Sequence, residues 1–238
     1  MFRIAGLLSI LPVLGGGQVP ARVRIALAFL LTVLIVPSLA PVPVVDPLSA
    51  ESLYISAQQL LIGVAMGLLV LVVFNAVTMA GECIAITMGL GFALMNDPQN
   101  GAQVPTVSQF YLVLASLLFL ALDGHHSVLL LLHASFTLLP IGQSLGADSL
   151  WVLVRWGGMI FTGALSIALP ALAAMLTVNI IMGVITRAAP QMNLFSIGFP
   201  ITMLVGFIAI MLSFTTFQIK FGSLLSMAQT TIASMLSS

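Results

Sequence analysis

Between Glu51 and Glu82 runs SLYISAQQLLIGVAMGLLVLVVFNAVTMAG, Ser52–Gly81, 30 residues without a charge. Leu, Val, Ala and Met dominate, and the period-two alternation that a membrane barrel strand requires is absent, so the stretch reads as helix. About 20 helical residues cross roughly 30 Å of hydrocarbon, so this run alone is long enough to span a bilayer. Working outward, five further uncharged gaps follow the same pattern: 21 residues between Arg24 and Asp46, 25 between Asp97 and Asp123, 24 between Asp123 and Asp148, 31 between Arg155 and Arg187, and 32 between Arg187 and Lys220. Each gap has room for one span, which predicts about six apolar helices in an all-α bundle.

The whole composition agrees. Of 238 residues, 61% are hydrophobic and 5% charged, six Lys and Arg against six Asp and Glu. Soluble domains carry roughly 25% charge, so this chain lacks the polar surface to cover itself in water. Disorder needs high charge, and nucleic-acid binding needs a basic stripe; neither fits. The single cysteine, Cys83, excludes an intrachain disulfide and a CxxC redox or metal pair. The early apolar stretch has only Arg3 as a basic flank and no small-x-small site, so no cleavable signal is expected. If the spans alternate and Met1 to Leu14 does not cross, Arg3, Arg22, Arg24, Arg155 and Lys220 fall on one side and Arg187 on the other, favouring a cytoplasmic N-terminus.

Pro and Gly cluster at Gly15–Pro20, Pro37–Pro47, Asn96–Pro105, Pro140–Ala147 and Pro190–Pro200, which predicts loops or bends there. A helix through the last two gaps would reach about 46 to 48 Å, longer than the hydrocarbon is thick. Gln58, Gln59, Asn75, Glu82 and Asn179 lie within or beside apolar runs, where an unpaired polar group is costly, and are expected to face protein.

Three constellations stand out. In FALMNDPQNGAQVP, Phe92–Pro105, Asp97 before Pro98 resists helix, Asn100–Gly101 suits positive φ, and Pro105 can open the next helix. This is either an aqueous connector or a re-entrant, plugging loop; the apolar lead-in through Met88, Leu90, Phe92, Leu94 and Met95 suits the second. In GHHSVLLLLHASFTLLPIG, Gly124–Gly142, His126 and His133 can share a helical face, but no Cys, Asp or Glu follows to complete a metal site, so no metal is expected. RAAPQMNLFSIGFPI, Arg187–Ile201, sets Arg187, Gln191 and Asn193 between the longest apolar runs, with Pro190 and Pro200 ending or kinking helices. It reads as a hairpin turn, a polar contact in which Arg187 meets a carboxylate or carbonyls, or both.

No GxSxG elbow, Walker lysine, GxGxxG turn or HExxH occurs, so neither catalysis nor a cofactor is expected. The 13 Met and 20 Gly suit close helix contact and deformable apolar surfaces.

GECIAITMGLGFALMNDP (Gly81–Pro98), Gly124–His125, SFTLLPIG (Ser135–Gly142) and RAAPQMNLFSIGFP (Arg187–Pro200) together resemble the FliR/SctT family, membrane components of flagellar and virulence-type III protein export gates. The likeness covers nearly the whole chain in the expected order, and its wording is closer to the flagellar branch. It implies a P-like part over 1–145 joined to a Q-like helical hairpin over 146–238, the two making one structural unit. It also implies assembly with FliP-like and FliQ-like subunits, and contact with other export components, in the flagellar basal body of the bacterial inner membrane. Membrane lipid and exported unfolded polypeptides are the remaining implied partners. The loop 91–105 maps onto a plug, with Gly91, Phe92, Met95, Asn96, Asp97, Pro98, Gly101 and Pro105 as pore residues. Glu82, Gly124, His125, Arg187, Pro190, Gln191, Asn193 and Pro200 map to subunit contacts or the hairpin bend. In the family an apolar helix of about 20 residues precedes the FRIAGLL segment.

The alternative function is a secondary transporter, whose coupling-ion site would fall to Glu82, Asp97 or Asp123. An intramembrane enzyme would need a paired acid, base or nucleophile, and none is evident.

Overall fold

The computed structural model describes residues 1–16, 19–39, 46, 49–90, 106–188 and 194–237. The helices are α1 (Phe2–Ile10), α2 (Ala21–Ile35, followed by a 3-10 turn Val36–Ser38), α3 (Ala50–Thr87), α4 (Thr106–Ala121), α5 (Gly124–Leu138), α6 (Ala147–Trp156), α7 (Met159–Ala188) and α8 (Leu194–Ser237). No strand occurs among the described residues. The chain is an all-α membrane protein.

Local chemistry sets the boundaries. Pro20 immediately precedes α2, where its missing N–H costs nothing. Ser49 caps α3, its Oγ accepting the Ser52 N–H at 3.1 Å, and Glu51 in the first turn favours the positive helix end. Pro200 neither ends nor begins a helix: it lies in the second turn of α8, which continues past it to Ser237.

Among the described residues, four segments are long and apolar enough to cross a membrane, namely Ala21–Ser38, Ala50–Thr87, Ala147–Ala188 and Gly198–Ser237. The expected six spans are therefore not all realised. The two gaps flanking Asp123 become α4 and α5, of 16 and 15 residues, bent by 63° and able to make one broken span at most. The cause is local. Asp123 adopts the left-handed conformation (φ 53°), and Gly124 follows where a Cβ would strike the Phe119 ring. By contrast α3 and α8, with 38 and 44 residues, extend about 57 and 66 Å; excess length was expected of the last two uncharged gaps, which α8 and the 30-residue α7 occupy, and not of α3.

The chain divides into two compact units: one comprises 1–74, 116–159 and 224–238, the other 75–115 and 160–223. In the first, α1 lies so close to α3 that a Cβ on Gly63 would overlap the Arg3 carbonyl oxygen, and one on Gly67 would sit 3.1 Å from Ile10 Cβ. Leu7, Leu8, Ile62, Met66 and Leu69 fill the core. Trp156 donates its indole N–H to the Leu69 carbonyl at 2.9 Å, and Phe74 meets Phe119 edge to face. In the second unit, Ala76, Val77, Ala80, Ile84 and Ala85 form the buried face of α3. Gly81 brings α3 against α4, where a Cβ would lie 2.6 Å from Ser108 Cα. Tyr111 packs edge to face on Phe217 at 5.2 Å.

Candidate functional site

Helix α3 stops by a defined device. Gly89 is left-handed (φ 83°); its N–H bonds the Ile86 carbonyl and the Leu90 N–H reaches back to Ala85, both at 3.0 Å, which satisfies the carbonyls of the final turn. The Phe199 ring lies over Gly89, and Met88 fills the space that a side chain at Gly206 would need. Thr87 Oγ1 donates to Met175 Sδ at 3.6 Å, tying the same helix end to α7.

Beside this terminus opens a cavity of about 480 Å³ lined by Leu90, Thr106, Val107, Phe110, Met203, Phe207, Ile210 and Met211. Leu90 and Thr106, two of its lining residues, flank residues 91–105 in the sequence. The lining offers one hydroxyl, from Thr106, and no ionisable side chain. Chemically it can hold apolar matter and nothing more. The expected pore residues Gly91, Phe92, Met95, Asn96, Asp97, Pro98, Gly101 and Pro105 lie outside the described residues, as do Pro190, Gln191 and Asn193.

The first unit holds a polar centre that reading the sequence missed. Arg3 is 1% exposed. Its Nε donates to Gln59 Oε1 at 2.9 Å, Nη1 to the Ser135 carbonyl at 2.7 Å and to Ser135 Oγ at 3.0 Å, and Nη2 to the Leu139 carbonyl at 2.9 Å. Its guanidinium also lies 4.4 Å from the Phe136 ring centroid. All these acceptors are neutral, and burial lowers the Arg3 pKa to about 10, which still leaves it protonated at neutral pH. Carbonyls at the C-terminus of α5, the negative end of a helix, take the place of a carboxylate. Arg3 is thus an interior bolt joining α1, α3 and α5 rather than a surface charge that sets membrane orientation. The signal available in the sequence was Gly63-x-x-x-Gly67, the spacing that lets a second helix approach closely.

The expected polar contacts divide. Gln59 is buried at the Arg3 centre, whereas Gln58 and Glu82 are half-buried. Asn75 and Asn179 are exposed, so this chain does not itself supply the protein they were expected to face. Arg187 is exposed near the end of α7.

At the α4–α5 bend, Gly124 is buried and His125 half-buried. His126 Nδ1 lies 3.5 Å from Asp123 Oδ1, and ligand atoms of Asp123, His125 and His126 lie within 4.8 Å of one another. Among the described residues those three could hold a divalent cation, rather than the pair His126 and His133 at helical spacing. Two of them are solvent-exposed and all stand at the positive end of α5, which opposes a cation. His133 instead bonds Ser38 Oγ through Nε2 at 2.9 Å.

Comparison with known proteins places this geometry in context. Residues 1–228 match the family model described as bacterial export proteins, family 1. The chain is 40% identical over 207 residues to the flagellar biosynthetic protein FliR of Escherichia coli K12, covering 87% of this chain and 79% of that one. It is 40% identical over 205 residues to the protein of the same name from Pectobacterium carotovorum, covering 86% and 78%. A more distant relative of that name, from Bacillus subtilis, is 27% identical over 238 residues, covering 98% and 92%.

Proposed function

The chain belongs to the bacterial export proteins, family 1, and from that premise we propose that it is a non-enzymatic subunit of the flagellar export gate, helping to form and seal the conduit for unfolded polypeptides. It is a membrane component of the flagellar export apparatus, as its similarity to flagellar biosynthetic proteins supports. Its place is the flagellar basal body of the bacterial inner membrane, and its partners are FliP-like and FliQ-like subunits. The portion 1–145 acts as the P-like part and 146–238 as the Q-like hairpin, one structural unit when assembled.

The observation that carries the reading is the distribution of burial along the candidate spans. Of the most apolar window of Ala50–Thr87, 61% is buried, against 28% for Ala147–Ala188 and for Gly198–Ser237. One helix is mostly covered and the others leave large side chains exposed, Met211 and Leu212 at 76% and 80% among them. Helices of this length and exposure find their remaining contacts in sister subunits as well as in lipid.

The segment 91–105 serves as the plug, with Phe92 and Met95 narrowing the pore and Gly91 and Gly101 allowing its backbone to rearrange. Asn96, Asp97, Pro98 and Pro105 belong to the same plug. Glu82, Gly124, His125 and Arg187 serve subunit contact, and Pro190, Gln191, Asn193 and Pro200 the hairpin bend. The apolar cavity between Leu90 and Thr106 supports the plug assignment, because it offers an apolar seat where that segment leaves and rejoins the helices. Isolation of the tagged chain in mild detergent tests the assembly: two further apolar proteins should accompany it in fixed proportion. A solitary chain that takes up a solute after reconstitution would instead establish a transporter.

A further inference from the structure

From Asn75 to Ile86, α3 is divided along its length. Ala76, Val77, Ala80, Gly81, Ile84 and Ala85 are buried against the rest of their unit. The residues not buried are Asn75 and Ile86, exposed, and Thr78, Met79, Glu82 and Cys83, half-buried. Their spacing is i, i+3, i+4, i+7, i+8, i+11, a single stripe about 16 Å long. Every polar side chain of Asn75–Ile86 lies on this outward stripe. That is the reverse of a helix that turns a uniformly apolar face to lipid. The Glu82 side chain forms no ion pair and no hydrogen bond among the described residues, and neither does that of Asn75.

A carboxylate and an amide two turns apart, on an otherwise apolar helix, are costly against hydrocarbon and favourable against a neighbour of matching chemistry. We infer that this stripe docks one helix of a partner subunit, and that the helix presents a lysine or arginine to Glu82 and a hydrogen-bonding side chain to Asn75. The inference rests on the assembly reading above and names the surface and the partner chemistry within it. Charge complementarity selects the occupant: lipid tails offer Glu82 nothing, and the cations of the same compact unit, Arg187 and Lys220, are exposed and form no ion pair with it. Small and flexible Cys83 and Met79 between the polar positions let the incoming helix approach closely.

Cys83 provides the measurement, because it is the chain's single cysteine and lies in the stripe beside Glu82. The full chain is purified with its partners and also alone, and each preparation is treated with N-ethylmaleimide and with a polyethylene-glycol maleimide before denaturation. Modification of the chain's own band is then read by gel shift. Protection in the complex by about tenfold or more relative to the isolated chain is expected for a thiol covered by a helix. Glu82→Gln keeps the shape and removes the charge, and should lower partner recovery about thirtyfold, while Glu82→Asp should retain most of it.

Equal reactivity in both preparations, with the partners still present, overturns this inference and leaves the assembly reading standing. Rapid reaction of the complex with the small reagent alone also overturns it, since the stripe would then line a water-filled conduit. Protection already complete in the isolated chain overturns it too, because the stripe would be covered by the chain's own residues. If no partners accompany the chain, the assembly reading fails and this inference fails with it.

Discussion

The contact between α1 and α3 permits a graded test at three glycines. A Cβ at Gly63 would overlap the Arg3 carbonyl and lie 2.9 Å from the Leu7 backbone nitrogen, so only backbone could yield. At Gly67 the obstruction is softer, with Ile10 Cβ at 3.1 Å and the Leu7 carbonyl at 3.2 Å. At Gly183, within α7, a Cβ meets nothing within 4 Å. Gly63→Ala must therefore push α1 away, and α1 carries Arg3, whose four hydrogen bonds span 2.7 to 3.0 Å. Overpacking alone costs about 1–3 kcal/mol, and weakening one or two hydrogen bonds from a buried cation adds a comparable amount, giving about 2–6 kcal/mol in all. Against a total stability of roughly 5–15 kcal/mol this is a large fraction. Thermal unfolding of the detergent-solubilised chain, followed by size-exclusion chromatography, should show a midpoint lowered by about 10 °C or more. Gly67→Ala should cost about 1 kcal/mol by overpacking, and Gly183→Ala should be neutral or stabilising by up to about 1 kcal/mol from helix propensity. Equal midpoints for Gly63→Ala and Gly183→Ala would refute the close approach of α1 to α3.

Three further outcomes are expected. Deleting Asn96–Gln103 should raise ion leakage through a reconstituted gate, and unchanged conductance in planar bilayers would remove the plug assignment. Trp156→Phe loses the indole bond to Leu69 and should cost about 1 kcal/mol, read as a small fall in the thermal midpoint. Because burial lowers the Arg3 pKa to about 10, the folded state binds fewer protons than the unfolded chain only above that pH; the penalty for burying the cation is constant below it and shrinks as pH rises through the folded value. Wild type and Arg3→Met should accordingly show parallel pH dependence of unfolding between pH 6 and 9, and diverging slopes in that window would contradict it.

Much of the architecture was legible because hydrocarbon imposes a simple rule: charges are kept out of long apolar runs, so the gaps between them mark helices. The excess length of α8 followed from the same spacing, whereas α3 runs past Glu82 to Thr87. What escaped was anything decided by a neighbour. Asp123 counts as one more boundary charge in the sequence, yet its left-handed backbone and the Phe119 ring over Gly124 turn two expected spans into a bent pair. Likewise His126 pairs with Asp123 just before it, not with His133 one heptad on.

Composition, uncharged length and the order of the motifs determined by themselves that this is an all-helical membrane protein of the export family, since those properties are additive along a chain. Only the tertiary structure decided that Arg3 is an interior bolt held by neutral carbonyls, and that Asn75 and Glu82 lie on the open side of α3. The physical reason is that a polar side chain on an apolar helix has the same local propensity whichever way it faces, and its direction is chosen by which face the packed helices leave uncovered.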